Sequence, residues 1–293
     1  MRKITHAVIP VAGFGTRMLP LSKSVPKELL PLGNRPAIHY VVEEAIAAGI
    51  KHIVLVSHSQ KGAIENYFDI NVEIDNQLRE KGKDEVADSL NWLPSDVTVS
   101  MIRQGRALGL GHAVLAAKPI IGNGDFVVLL PDVVLDPFTT DMFADNLAFM
   151  IDEFTKCGHS QILVDTVADK DVHKYGIAKL RDTIGVDYEA SSKNSNASFK
   201  VAGFVEKPSL AEAPSRLAVV GRYVFSNKIF DYLSSTTASV GGEIQLTDAI
   251  DALISEYGVS VTTMRGSSYD AGDMRSYMQA FIYFAQKQLI EGK

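Results

Sequence analysis

The sequence predicts an α/β protein: a mostly parallel mixed sheet flanked by helices, followed by a small antiparallel lobe and C-terminal helices. Three observations carry this. Short apolar runs bounded by polar residues, such as His52–Ser57 and Phe126–Leu130, have the length and continuity of buried parallel strands. Helix-spaced apolar segments separate such runs up to residue 168, an alternation that implies right-handed crossovers and helices on both sheet faces. Beyond 168 the strand candidates follow one another without long helices between them.

Taken in order, Ala7 to Val11 is the first strand, and a glycine-rich loop follows it. Pro36 opens a helix in which Ile38, Val41, Val42, Ala45 and Ile46 share one face, and Gly49 stops it. His52–Ser57 is the second strand and 61–69 a short helix. Residues 72–93 read as a charged, solvated helical excursion with Trp92 as its anchor. A strand at 97–102, a helix at 109–121, the strand Phe126–Leu130, a helix near 145–157 and a strand at 161–167 complete the alternation. Strand candidates then lie at 175–180, 199–205 and 217–225, with the Ser-, Asn- and Asp-rich stretch 181–198 as a loose hairpin tip. Leu246, Ala249, Ile250, Leu253 and Ile254 form one helical stripe; Met274, Tyr277, Met278, Phe281, Ile282 and Ala285 form another. That last stripe suits either core packing or a homo-oligomer, a dimer or tetramer.

Composition narrows the function classes. A net charge of −6 argues against a nucleic-acid surface, so any phosphate site needs locally placed cations. The single cysteine, Cys157, rules out an intrachain disulfide and fits a reducing cytosol, where it reads as a small, partly buried hydrophobe. The seven histidines lack zinc-type spacing. No signal-peptide core and no apolar run of the ~20 residues that span a bilayer is present, so a cytoplasmic protein without a membrane partner is expected.

Four segments at strand ends carry unusual chemistry. In the first, Gly13-Phe-Gly15-Thr16-Arg17, the glycines permit positive φ and close backbone approach, so several N–H groups can point at one anion. Arg17, Lys23 and Lys27 set cations beside that turn, which suits a nucleoside triphosphate. It is not the dinucleotide fingerprint, because Met18 stands where the third glycine belongs, and no P-loop Gly-Lys-Ser/Thr follows. In the second, Gln104 precedes Gly109-Leu-Gly111-His112; a carboxamide can offer a donor and an acceptor to one base edge, and Gly109 would let the base lie against backbone. A glycine-softened helix start with a solvent-facing glutamine is the plainer alternative, and His112 reads as structural. In the third, Asp132 follows the most apolar strand and needs a cation to neutralise it; Mg2+ with substrate phosphates is the natural one. Asp136 reads better as a turn residue. In the fourth, Glu206-Lys207-Pro208, the proline ends the strand so that both charges can reach one pocket, the sugar hydroxyls for Glu206 and a phosphate for Lys207. A surface ion pair is the alternative.

The pattern G-x-G-T-R-x-x-P with P-K-E-x-x-P resembles the signature of the sugar-1-phosphate nucleotidyltransferases. With the other segments, and with Lys174-Tyr-Gly176-Ile, Glu243-Ile-Gln-Leu-Thr-Asp-Ala and Tyr269-Asp270-Ala-Gly272, the chain is similar to the bacterial UTP–glucose-1-phosphate uridylyltransferases from Ala7 to about Phe284. The resemblance implies a Rossmann-like nucleotidyltransferase fold and a reaction of UTP with α-D-glucose 1-phosphate giving UDP-glucose and pyrophosphate, with Mg2+. It implies one domain over 1–293: a nucleotide-binding core at 1–168, a sugar-binding lobe at 169–226 and a C-terminal helical part at 227–293. By the same resemblance Ala12, Gly13, Gly15, Thr16, Gln104 and Gly109 serve the nucleotide, with Glu28 a further candidate. Arg17 and Lys27 hold the triphosphate and the departing pyrophosphate. Asp132 binds Mg2+, and Asp270 is the candidate second carboxylate. Gly176, Glu206 and Gly221 line the sugar, and Lys207 grips its phosphate. Rival readings are another nucleotide-hexose pyrophosphorylase, such as one making dTDP-glucose, and a non-catalytic nucleotide-sugar-binding relative. The intact Thr16, Arg17 and Lys27 speak against the second. A nicotinamide dehydrogenase is a distant third, lacking its glycine and its acidic residue.

Overall fold

The computed structural model describes residues 3–181, 196–236 and 242–291. Most of the expected hairpin tip at 181–198 lies outside these residues. Within them the chain runs β1 (His6–Pro10), β2 (Pro31–Leu32), β3 (Arg35–Pro36), α1 (Ala37–Ala47), β4 (His52–Ser57), α2 (Gly62–Phe68), α3 (Val72–Glu80) and α4 (Asp84–Leu90). It continues through β5 (Thr98–Arg103), α5 (Leu110–Ala116), α6 (Lys118–Ile121), β6 (Phe126–Leu129), β7 (Val133–Leu135), α7 (Leu147–Cys157), β8 (Ser160–Thr166), β9 (Gly176–Leu180) and β10 (Ser198–Glu206). It ends with β11 (Leu217–Phe225), α8 (Ile229–Ser235), α9 (Leu246–Tyr257), β12 (Val259–Thr263), β13 (Ser268–Asp270) and α10 (Met274–Glu291).

Among the described residues nine strands form one sheet in the order β5-β4-β1-β6-β11-β8-β12-β10-β9. The first four are parallel, and β12 runs parallel to β8. β11 is antiparallel to both its neighbours and joins the parallel half to the rest. Period-two alternation decides which core each strand residue enters: in β1, Ala7 and Ile9 face one side and Val8 the other. α1, α7 and α10 cover the first face through Val41, Met150 and Phe284; α5, α8 and α9 cover the second through Val114, Phe230 and Leu253.

The structure corrects three expectations and decides one left open. Leu217–Phe225 is not part of a peripheral lobe but a nearly fully buried central strand. Residues 259–263, passed over in a region expected to be helical, form the all-buried β12 between β8 and β10. The α10 stripe, which suits either core packing or an oligomer, largely faces outward: Met278, Phe281 and Ile282 are 57%, 38% and 53% exposed, whereas Ala280, Phe284 and Gln288 are buried. Gln288 sets that rotation. Its Oε1 accepts from the Asn34 backbone N–H at 2.8 Å and its Nε2 donates to the Tyr40 hydroxyl at 2.8 Å, so a polar residue is drawn inward. Cys157 is exposed at the end of α7 rather than partly buried. The anchoring role of Trp92 holds: its ring lies 3.8 Å from that of His39, centroid to centroid.

Candidate active site

β1 lies between β4 and β6, so the chain steps outward in one direction through β4 and β5 and then crosses to the other side for β6. Such a switch leaves a crevice beyond the carboxyl ends of β1 and β6, where α/β sheets take ligands. The first-strand loop and the turn carrying Asp132 enter it, and two adjoining cavities of about 540 Å³ each open there. Both are lined by Arg17, Leu110, Leu130 and Asp132, so these residues stand at their junction.

The first cavity is lined by Ala12, Gly13, Phe14, Lys27, Glu28, Gln104 and Gly109. A methyl group placed on Gly13 would meet nothing within 4 Å, so its backbone is open to close approach. The N–H groups of Gly13, Phe14 and Gly15 donate to no backbone carbonyl among the described residues. Gly15 has φ +65° and starts the tight turn Thr16–Met18 that swings Arg17 to the junction. Gly15 and Thr16 themselves line neither cavity, and neither does Lys23. Two of the three expected cations reach the site, because Lys23 sits on the exposed turn Leu21–Lys23.

Asp132 does meet a cation, and it comes from the chain itself: Lys27 Nζ lies 2.5 Å from Asp132 Oδ2. Burial works against charge on Asp132, but the Lys27 ammonium, backbone hydrogen bonding and Arg17 more than offset it and hold the carboxyl below its ordinary value. Asp270 reaches the same point because β13 pairs with β7, placing Asp270 opposite Val133, and the Ala271 N–H donates to the Asp132 carbonyl at 2.7 Å. A methyl group on Gly272 would sit 2.8 Å from Asp270 Oδ1, 3.1 Å from Arg17 Nη2 and 3.2 Å from Asp132 Oδ2. A side chain at 272 would therefore crowd the point where these three side chains converge. Burial pushes the Asp270 carboxyl above its ordinary value, and the neighbouring Asp132 charge adds to this against the opposing Gly272 N–H bond. Two carboxylates of which one is short of positive charge, facing space for phosphates, fit Mg2+, which takes one or two carboxylates and completes its shell with phosphate and water. No cluster of three or more His, Cys, Asp or Glu side chains suited to a metal exists among the described residues, so an all-protein cage is not what is built.

The second cavity is lined by Lys174, Gly176, Glu206, Lys207, Gly221 and Asp270. Neighbouring strand residues ordinarily point to opposite faces, yet Glu206 and Lys207 both line it. Lys207 adopts φ +46°, an uncommon left-handed conformation for a side-chain-bearing residue, directly before Pro208. Its Nζ lies 3.4 Å from Glu206 Oε1, so the plain ion pair exists as well. Gly176 is where the Glu206 carboxylate passes: a methyl there would sit 3.1 Å from Oε2. Gly221, at φ +94°, accepts the Leu130 side chain, which a methyl would meet at 2.9 Å.

One expectation changes here. Gly109 lines the first cavity, but the direction its Cβ would take is filled by the chain itself, with Ile244 O at 2.9 Å. Its glycine is needed to seat the 243–244 segment, and Gly111 likewise bonds Ile244 O at 2.9 Å. Gln104 lines that cavity and is buried at 5% exposure, which removes the solvent-facing alternative, and its Nε2 reaches Gly109 O at 3.1 Å and His112 Nδ1 at 3.0 Å. Its amide hydrogens are thus spoken for, and Oε1 is the atom left open. Asp136 is a turn residue as read, accepting from the Phe138 N–H at 3.0 Å.

Sequence reasoning missed two buried ion pairs behind the site. Glu28 is 1% exposed, with Lys61 Nζ 2.8 Å from Oε2 and with Oε1 lacking a partner. Burial pushes its carboxyl up, against the Lys61 ammonium. Arg222 is fully buried; it grips Glu44 through Nε and Nη2 and donates to the carbonyls of Leu130 (3.1 Å) and Val133 (2.8 Å). It thereby braces from behind the turn that carries Asp132. A lone Arg in an otherwise apolar strand run was the available signal.

A family model described as nucleotidyl transferase matches residues 6–287. The chain is 49% identical over 288 residues to a UTP–glucose-1-phosphate uridylyltransferase of Haemophilus influenzae, covering 98% of this chain and 95% of that one. It is similar to the solved structure of a UTP-bound UGPase from Acinetobacter baumannii, with TM-score 0.85, 40% identity and 98% of each chain covered. A UDP-glucose pyrophosphorylase solved with UDP-glucose matches at TM-score 0.80 and 31% identity, over 97% of this chain and 99% of the other. With the family model matching residues 6–287 and a relative 49% identical over nearly the whole chain, the chain belongs to the nucleotidyl transferase family.

Proposed function

We propose that this chain is a UTP–glucose-1-phosphate uridylyltransferase. The observation that carries the reading is the pair of adjoining cavities that share Arg17 and Asp132, since it gives one site for a nucleotide and one for a sugar phosphate with charge control between them. The names of the relatives support the choice of UTP and glucose 1-phosphate.

A non-bridging phosphate oxygen of glucose 1-phosphate attacks the α-phosphorus of UTP in line. The new P–O bond forms as the bond from the α-phosphorus to the β-phosphate oxygen breaks, and pyrophosphate leaves with those electrons. The attacking oxygen is already anionic, so no general base is needed. What the protein supplies is alignment of two polyanions and fixed positive charge where negative charge builds. Ala12, Gly13, Gln104, Gly109 and Glu28 take the nucleoside. Arg17 and Lys27 hold the triphosphate and then the pyrophosphate, while Gly15 and Thr16 shape the turn that aims Arg17. Gly176, Glu206 and Gly221 take the hexose, and Lys207 its phosphate. Asp132 and Asp270 would hold Mg2+, which when bound neutralises triphosphate charge. Lys27 then has a double task, balancing Asp132 before the nucleotide arrives and contacting phosphate afterwards.

The reading puts the enzyme in the cytoplasm; no helix among the described residues is long and apolar enough to cross a membrane. It also makes it a homo-oligomer, to which the exposed Met278 and Ile282 face of α10 lends support. Pyrophosphate release across a matrix of nucleoside triphosphates and hexose 1-phosphates, with and without Mg2+, tests the function. UTP with glucose 1-phosphate and Mg2+ should turn over fastest; a clear preference for dTTP would reassign the enzyme within its family.

A further inference from the structure

His112 is partly buried on the first turn of α5, and nothing in the proposed chemistry uses it. Its Nδ1 lies 3.0 Å from Gln104 Nε2, the same nitrogen that donates to Gly109 O at 3.1 Å. The Gly109 carbonyl can only accept, so the amide nitrogen of Gln104 must face it. One of the two N–H bonds of that nitrogen goes to Gly109 O, and the other has His112 Nδ1 as its acceptor. This requires a lone pair on Nδ1 and so a neutral imidazole with its proton on Nε2. With both hydrogens committed, the carboxamide cannot turn over without losing two bonds and setting its oxygen against a carbonyl. Gln104 Oε1 accepts from no described residue, and Gln104 lines the first cavity.

We infer that His112 is a positioning residue for base selection: as a neutral acceptor it fixes which way round the Gln104 carboxamide stands, and hence which atom meets the base. The inference rests on the reading that the first cavity takes the nucleoside. The chemistry at stake is the N3 edge. Uracil carries a donor at N3 and an acceptor at C4; cytosine carries an acceptor at N3 and a donor at C4. With both amide hydrogens committed, Gln104 meets the base through Oε1 alone: the uracil N3–H can donate to it, whereas the cytosine N3 lone pair is set against it, and a carboxamide free to turn over could offer cytosine an N–H instead. The bond to His112 adds to the bond to Gly109 O what turning over would cost, and the two together therefore discriminate against cytidine.

The test compares UTP and CTP as substrates with glucose 1-phosphate for the wild type, His112→Leu, which has no acceptor, and His112→Asn, whose side-chain oxygen can stand near the place of Nδ1. His112→Leu should lower the ratio of kcat/KM for UTP over CTP about tenfold, acting through the KM of the nucleotide, with the KM for glucose 1-phosphate unmoved. His112→Asn should keep the ratio within about threefold of the wild type. His112→Phe serves as the second acceptor-free variant should thermal melting show His112→Leu to be poorly folded. An unchanged ratio in the acceptor-free variant, or an equal loss in His112→Asn, overturns the inference. A wild type that does not use UTP overturns the parent reading instead, so the two failures are told apart.

Discussion

The two halves of the crevice are built in opposite ways. The wall of the first cavity hangs on the parallel strands β1, β4, β5 and β6, and three of its polar groups are backed by the chain, Glu28 by Lys61, Gln104 by Gly109 and His112, and Asp132 by Lys27, with Glu28 and Gln104 buried. The wall of the second cavity hangs on β9, β10 and β11, and two of its charges are open, the Glu206 side chain 52% and Lys207 64% exposed. On the proposed reading, the nucleotide half is thus partly preorganised at a cost in desolvation, while the hexose half leaves Glu206 and Lys207 in water until a ligand displaces it. The first arrangement favours discrimination, because a buried polar group left unmatched is expensive. The second favours a polar substrate that brings its own hydration and leaves easily.

The comparison breaks first at the brace between the halves. Arg222→Met should destabilise the protein by about 3–5 kcal/mol in chemical denaturation, since it leaves Glu44 charged and buried. The double variant Arg222→Met with Glu44→Met should recover most of that loss, because paired removal leaves no orphaned charge. Recovery without restored turnover would sharpen the point that the pair braces the Asp132 turn. At the junction, Lys27→Ala and Arg17→Ala should each cut kcat on the order of 10²–10³-fold, as loss of a preorganised phosphate contact does, with melting little changed for Arg17→Ala. Pyrophosphate release measures both, and unchanged rates would remove the loop from the mechanism. On the open side, Lys207→Ala should raise the KM for glucose 1-phosphate roughly 10–100-fold, the worth of one charged hydrogen bond, and leave the KM for UTP alone. An equal rise for UTP would mean that the halves are not separate. Cys157→Ser, far from both walls and exposed, should shift stability by less than about 0.5 kcal/mol in a thermal melt.

What could be read from the residues alone followed one rule: features signalled within a few positions were legible, and those made by distant partners were not. The glycine turn, Gln104, Asp132 and the Glu206-Lys207-Pro208 strand end each carry a local cue, and all reach the crevice. Asp132 was read as needing a cation, but that Lys27 supplies it is a contact across 105 positions. The Arg222–Glu44 pair spans 178 positions, and no periodicity or spacing encodes it. β12 was legible after all: Val259-Ser-Val-Thr-Thr after Gly258 is a β-branched run, lost between two strong helical stripes. The rotation of α10 was not, since its apolar stripe suits both core packing and an exposed face and the buried hydrogen bonds of Gln288 decide between them. Gly109 shows the remaining limit. A glycine beside a ligand cavity invites a ligand explanation, and here the neighbour it makes room for is Ile244.

The central claim is that one nucleotide sugar fills both cavities at once across the Arg17–Asp132 junction. A crystal structure of the protein with UDP-glucose tests it most directly. The account predicts uracil between Gly13 and Gln104, the diphosphate beside Arg17, Asp132 and Lys207, and the glucosyl ring against Gly176, Glu206 and Gly221. Density for the diphosphate away from Asp132, or a hexose seated on the Gln104 side, would contradict it.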